Sequence, residues 1–367
     1  MKKFISLHSK LYTLNFILSA LVLLMVGCKD AGTEKVSATG SIYECLVVSS
    51  ESVYDVVKPV MEADMPCMPQ MEPYFKVMHV VPSQFDSYLL PTRNILIVDI
   101  DSTKYTTLKA KISRDAWSHP QAVYRIQSPS RADFDAYWQA NSESVREWFV
   151  NEELQRQAHF YRASTNKDAR QILQRDFHCD LLIPEDYILI MDTTLHSTLS
   201  TTLNSKLSTL NYRLIWCCNN KGTMRRDLVV YSYPYVDANT FSLDYLCQKR
   251  DEVLGSIITA SVPGSYMGTE YRIFPPQYRV LQAQRSDSVS SPSGGGRVGA
   301  SYTAEIRGLW KIYGGEAMGG PYVSHTVLDE QHQQVITAEV FLFAAGQKKR
   351  NALRQAEAIL YTLKLLK

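Results

Sequence analysis

Arg213-Leu214-Ile215-Trp216-Cys217-Cys218 is followed by Asn219-Asn220-Lys221-Gly222 and, a few residues on, by Leu228-Val229-Val230-Tyr231-Ser232-Tyr233. The two outer runs are rich in β-branched and aromatic residues, the composition of strands. The Asn/Gly segment between them tolerates positive φ, which a tight reversal needs. A hairpin is therefore predicted, and a hairpin makes antiparallel sheet. Cys217 and Cys218 are adjacent in such a strand, so alternation points them to opposite faces and argues against a bond between them.

Working outward, Ile42–Val48, Phe75–Val81, Asn94–Ile100, Ala122–Gln127, Ile188–Met191, Tyr302–Ile312 and Val335–Phe343 also read as strands. Ser130-Arg131-Ala132-Asp133 resembles a capping box. Phe134, Trp138, Val145, Trp148 and Phe149 follow at helical spacing, predicting a helix to about Arg162. Asn166 caps a second predicted helix to Phe177; Ser52–Met61, Phe241–Leu254 and Lys349–Leu366 are the others. Paired strands followed by helices predict an α+β fold, a largely antiparallel sheet flanked by long helices. Repeated ββα or ferredoxin-like units would fit that order, although no internal sequence repeat supports them. Met318-Gly319-Gly320-Pro321 and Pro263-Gly264-Ser265-Tyr266 read as turns.

The amino terminus carries an address. Lys2, Lys3 and Lys10 precede or open an apolar stretch, Leu11–Val26, and no acid occurs before Cys28. The stretch is short for a bilayer span, which takes ~20 apolar residues, and it fits the core of a signal peptide. It ends Met25-Val26-Gly27-Cys28, which resembles a bacterial lipobox. Residues 1–27 are thus expected to be a signal peptide, with lipid attached at Cys28 and the membrane as partner. Two or three acyl chains, at about 0.8 kcal/mol per buried methylene, anchor stably where one does not. Residues 28–40 are small and polar and read as a flexible tether. The expected location is the cell envelope, the outer membrane ahead of the inner. Residues 41–367 form the α+β body, interrupted by a Ser/Gly-rich flexible loop at 286–299.

Three of the 39 cations and none of the 37 acids lie in the first 27 residues, so the body is close to neutral. Such a balance gives no electrostatic case for a nucleic-acid partner. Cys45, Cys67, Cys179, Cys217, Cys218 and Cys247 show no disulfide or zinc spacing and read as buried thiols, with one long-range disulfide, which export would permit, as the alternative. Gly294, Gly296 and Gly299 formally match GxGxxG but lack the strand and helix a nucleotide site requires. No cofactor or metal is expected.

Several segments together carry a family resemblance: Pro69-Gln70-Met71-Glu72-Pro73 with Phe75, Arg93-Asn94-Ile95, Asp115-Ala116-Trp117-Ser118-His119-Pro120-Gln121, and Arg250-Asp251. Pro263-Gly264-Ser265-Tyr266-Met267, Arg307-Gly308-Leu309-Trp310, Met318-Gly319-Gly320-Pro321-Tyr322 and Lys349-Arg350-Asn351 with Arg354-Gln355 complete it. The chain resembles a family of Bacteroidetes lipoproteins grouped as domain of unknown function 4837. The opening strand departs at Tyr43, where the resemblance implies asparagine. The resemblance implies export and lipidation, and no activity.

Two clusters are candidates for a ligand or partner surface. Asp115, Trp117 and His119 alternate, so an extended chain presents an acid, an imidazole and a stacking ring on one side. The plainer account is a structured turn. Glu305 and Arg307 share a strand face opposite Trp310, and either bind a ligand or pair with each other. Lys348-Lys349-Arg350 opens the last helix, where cations oppose the helix dipole; an anionic partner or a solvated end would account for them. His178-Cys179-Asp180 has no partner pair at zinc spacing. The leading expectation is a non-enzymatic binding or assembly module with an envelope protein or glycan as partner. The alternative is an envelope hydrolase of glycan or peptide using Asp115, His119 and Glu305, which requires those groups to meet.

Overall fold

A computed structural model describes residues 35–199, 208–281 and 303–366. The signal peptide, Cys28 and the 286–299 loop lie outside them. The first half of the chain runs β1 (Glu44–Val48), α1 (Glu51–Met61), β2 (Lys76–Val80), β3 (Asn94–Ile100), β4 (Lys109–Arg114), β5 (Ala122–Ser128), α2 (Arg131–Tyr161). The second runs α3 (Lys167–Asp176), β6 (Cys179–Asp180), β7 (Ile188–Leu199), β8 (Ser208–Asn219), β9 (Arg225–Pro234), α4 (Leu243–Ile257), β10 (Tyr266–Glu270), β11 (Gln277–Leu281), β12 (Thr303–Tyr313), β13 (Gly319–Asp329), β14 (Gln334–Phe343), α5 (Arg350–Leu360), β15 (Lys364–Leu365). The fold is α+β. Its large sheet, β10-β12-β13-β14-β9-β8-β7 with β11 also on β12, is antiparallel throughout.

The predicted hairpin is β8–β9, with Gly222 at φ +80° in its reversal. Cys217 faces the core that contains α2 and α5, and Leu214 and Tyr231 face the one that contains α4. Both faces of the sheet are thus covered, which is why β9 and β14 are buried almost without interruption. The helix signals are read out as capping geometry. The Ser130 hydroxyl accepts from the Asp133 N–H at 3.1 Å, and Asn166 Oδ1 accepts from Ala169 at 3.0 Å. Each satisfies a donor that a helix start leaves open.

The first half departs from the antiparallel expectation. Its sheet has the order β2-β1-β3-β5-β4, and only β4 runs against its neighbour. A helix between two strands returns the chain in the same direction, so β1-α1-β2 is parallel. Repeated ββα or ferredoxin-like units are accordingly not how the chain is organised: one half builds a parallel-rich sheet, the other an antiparallel one. β4 carries Lys109, Lys111 and Arg114 on an edge, a composition that keeps an edge from pairing further and hides it from an apolar search.

Two other expectations are corrected. Residues 36–39, assigned to the tether, are pinned: Ala38 donates to His119 O and His119 to Val36 O, while Thr39 donates to Pro91 O and Arg93 to Thr39 O, each at 2.9 Å. Met318–Pro321 is no turn, for Gly319, Gly320 and Pro321 lie inside β13. Pro321 pairs with Leu309 on β12 just before pairing to β14 begins at Tyr322, so its missing N–H interrupts no ladder bond on that side. The glycines there allow close approach. A Cβ on Gly320 would stand 2.0 Å from Leu342 O and 3.0 Å from Trp310 Nε1. The Pro263–Tyr266 turn does form, with Gly264 at φ +81°.

Gly320→Ala is therefore expected to cost about 3 kcal/mol, the upper part of the usual overpacking range. A chemical-denaturation midpoint indistinguishable from wild type would contradict the packing.

Candidate functional site

Asp115 begins the loop that leads into β5. It adopts φ +54°, and its carboxylate turns back along the loop to accept the Gln121 N–H at 2.8 Å and to meet His119 Nδ1 at 2.9 Å. The Lys35 ammonium donates to the Asp115 carbonyl. Burial works against the Asp115 charge, but the Gln121 N–H and His119 outweigh it and hold the carboxyl below its ordinary range. Gln121 locks the loop: its amide donates to Leu90 O at 2.6 Å and Thr92 O at 2.8 Å, and its oxygen accepts the Trp117 N–H at 2.9 Å. Trp117 packs edge-on against Phe85 and the cluster of Leu46, Val48, Ile95 and Ile97 on the outer face of the first sheet. Asp115 and His119 do come together, as a turn whose imidazole is largely exposed.

Glu305 and Arg307 are interior. Arg307 Nε donates to Glu305 Oε1 at 2.9 Å, Arg279 Nε donates to the same oxygen at 2.6 Å, and His325 Nε2 lies 3.1 Å from Oε2. Arg307 also donates to Glu357 of α5, whose carboxylate takes Arg354 Nη1 at 3.0 and 3.1 Å. Burial alone would push the Glu305 carboxyl up; Arg307, His325 and Arg279 reverse this and hold it well below the usual range. Trp310 lies on the opposite strand face, buried, donating to Leu342 O at 3.1 Å and set edge-on to Phe341. The strand alternation that separates it from Glu305 is as predicted.

The cluster reaches across the molecule. Arg279 approaches Glu147 of α2 at 3.6 Å, and Cys67 Sγ donates to Arg307 O at 3.3 Å. Glu72 accounts for the cations at the start of α5: its oxygens accept the backbone N–H groups of Lys349 at 2.7 Å and Arg350 at 2.9 Å. The helix end is buried, and its anion is a carboxylate from the first half of the chain. A second interior pair was not recognised in the sequence. Arg250 of α4 grips Glu339 through Nε and Nη2 at 2.8 to 3.0 Å and lies 3.8 Å over the Tyr322 ring. Burial nevertheless pushes the Glu339 carboxyl up to about 6. Arg250-Asp251 offered a signal, since Asp251 accepts from Thr269 N at 2.8 Å and from its hydroxyl at 2.6 Å. Asp180, beside His178 and Cys179, is held by Arg170 at 2.6 Å, and His178 stacks on His332. All six described cysteines are free and buried.

A groove of about 610 Å³ opens where the end of α2 meets the 184–187 loop, the β8–β9 hairpin and α5. Tyr161, Tyr187 and Ala356 line its buried side, and Lys221, Arg226, Asp186 and Glu185 supply charge. No sequence pattern announced it, because its residues come from four separate segments. Asp115, His119 and Glu305 do not take part in it, and Glu305 makes no contact with the other two.

The sign of the Glu305 effect is defined. A carboxylate held below its ordinary value near 4.5 in the folded state adds stability that is complete above that value and lost as the pH falls through the folded one. Glu305→Gln is expected to cost about 3–5 kcal/mol at neutral pH, since it leaves buried arginines uncompensated. It will also flatten the acid side of the stability profile. Equal acid slopes for variant and wild type would contradict this.

The two halves of this body also separate in comparison with known proteins. Residues 38–162 match the model of one family, a domain of unknown function (DUF8532). The segments Pro69–Pro73, Arg93–Ile95 and Asp115–Gln121 fall within that span. No curated protein matches the chain. Residues 165–362, which include the Glu305–Arg307 and Arg250–Glu339 pairs, match a domain of unknown function (DUF4837). That match covers more than half of the chain, and the chain belongs to the DUF4837 family.

Proposed function

We propose that this protein is a non-enzymatic binding or assembly module of the cell envelope, tethered by lipid on Cys28, with the outer membrane preferred. The observation that carries the binding reading is the open groove of about 610 Å³, a size typical of small-ligand sites. The address rests on Met25-Val26-Gly27-Cys28 and the cationic, apolar stretch before it. Among the described residues, no helix is long and apolar enough to cross a membrane. The catalytic candidates weigh the same way. Asp115 and His119 are used in a turn, and Glu305 is enclosed by Arg307, Arg279 and His325. A carboxylate neutralised by fixed partners in the interior, as Glu305 is, is poorly placed to exchange protons with a substrate.

The test is fractionation of cells fed labelled palmitate. Wild type is expected in the membrane fraction carrying label, and Cys28→Ala unlabelled and released. A Cys28→Ala protein that stays with membranes, beside an unlabelled wild type, would overturn the anchor.

A further inference from the structure

The groove has an asymmetry in how its charges are satisfied. Both of its acids are engaged: Asp186 accepts from Asn219 Nδ2 at 2.6 Å, and Glu185 accepts from the Ser164 hydroxyl. Its cations are Lys221 and Arg226, and the buried Nε of Arg226 finds no hydrogen-bond partner among the described residues. A buried guanidinium nitrogen left open costs free energy, which a ligand that draws the side chain toward its own acceptors would offset. Arg226 stands near Tyr161 and Tyr187, whose phenols burial pushes up and its charge draws back down. The guanidinium therefore belongs to the aromatic side of the groove, where reduced hydration strengthens a charged contact.

We propose that this groove binds a short peptide by its free carboxyl end, with Arg226 as the anchor for the carboxylate. A guanidinium presents paired donors that match a carboxylate's two oxygens. The groove also carries Asp186 and Glu185, whose unfilled acceptor capacity suits an ammonium group. Charges of both signs in one groove fit a zwitterion better than a simple anion. Phe160, 71% exposed on the groove's lining, offers a surface for an apolar side chain. The volume of about 610 Å³ admits a few residues and no folded partner. The assignment rests on the binding-module reading and is independent of the lipid anchor.

The experiment is calorimetric titration of the mature chain, carrying Cys28→Ser so that it remains unacylated, with tri-alanine, tri-alanine amide and N-acetyl-tri-alanine. Tri-alanine is expected to bind, with roughly tenfold or greater loss for the amide and for Arg226→Gln, the scale of one charge-assisted contact. Acetylation and Asp186→Asn are expected to weaken binding less. Thermal melting of both variants checks that they remain folded, and Arg226→Lys, which keeps the charge without the paired donors, is expected to recover only part of the affinity. Tri-alanine binding unchanged in a folded Arg226→Gln variant would overturn the assignment, as would equal affinity for the amide. A wild type silent to tri-alanine would overturn it too. In that case a specific partner recovered by crosslinking in cells would still uphold the binding-module reading, so the two failures are distinguishable.

Discussion

The structure depends on where α5 sits. This helix is buried along most of its length and carries Arg354 and Glu357 into the interior, while cations crowd its first turn. Left alone, such a helix would be unfavourable at its start and would bury uncompensated charge. Glu72 resolves the first problem by accepting the opening N–H groups, and the Glu305–Arg307 pair resolves the second by closing a chain of alternating charges through Glu357 to Arg354. Glu72 comes from the first half of the molecule and Glu305 from the second. Helix α5 can be placed only where both halves are already in position, so its burial joins the two matched spans into one body.

That arrangement explains why interior charge here is structural. Buried ion pairs contribute little net stability when both partners are present, and removing one partner is expensive. Their effect is to specify which surfaces meet. Arg279 with Glu147, Cys67 with Arg307, and the Tyr161 hydroxyl with Gln355 O at 2.8 Å all cross the same seam. The groove lies on that seam too, walled by α2 on one side and by the β8–β9 hairpin and α5 on the other. Its shape is a consequence of how the halves are joined, and it opens where the seam reaches solvent.

Much of the fold was legible because it is written in local signals. Ser130 and Asn166 announced their helices through capping chemistry, and Asn219–Gly222 announced a hairpin through its tolerance of positive φ. What was hidden depends on distant partners. The glycines of β13 look like a turn until Trp310 and Leu342 are seen against them. Tyr43 departs from the residue its resemblance implied, yet it holds φ +58°, a conformation asparagine adopts readily, and pays for it by packing against Phe75 and under Arg354. Asp115 and His119 meet in the structured turn that was the plainer account, while Trp117 packs away from them against Phe85. Glu305 and Arg307 were rightly paired, and the last helix was predicted, but its Glu357 as a partner of Arg307 could not be foreseen, because pairing across fifty residues leaves no periodic trace. Arg226 gave no sign at all: a guanidinium nitrogen without a partner is visible only once its described neighbours are placed.

The claim that the two halves form one body, and so hold a permanent groove, is tested most directly by hydrogen exchange of the intact mature chain across a denaturant series. The account predicts that amides of Asn94–Ile100 in the first sheet and of Gln334–Phe343 in the second lose protection together, at one denaturant concentration. Loss of one sheet's protection well before the other's would contradict it, and would reduce the seam to a contact between independent domains.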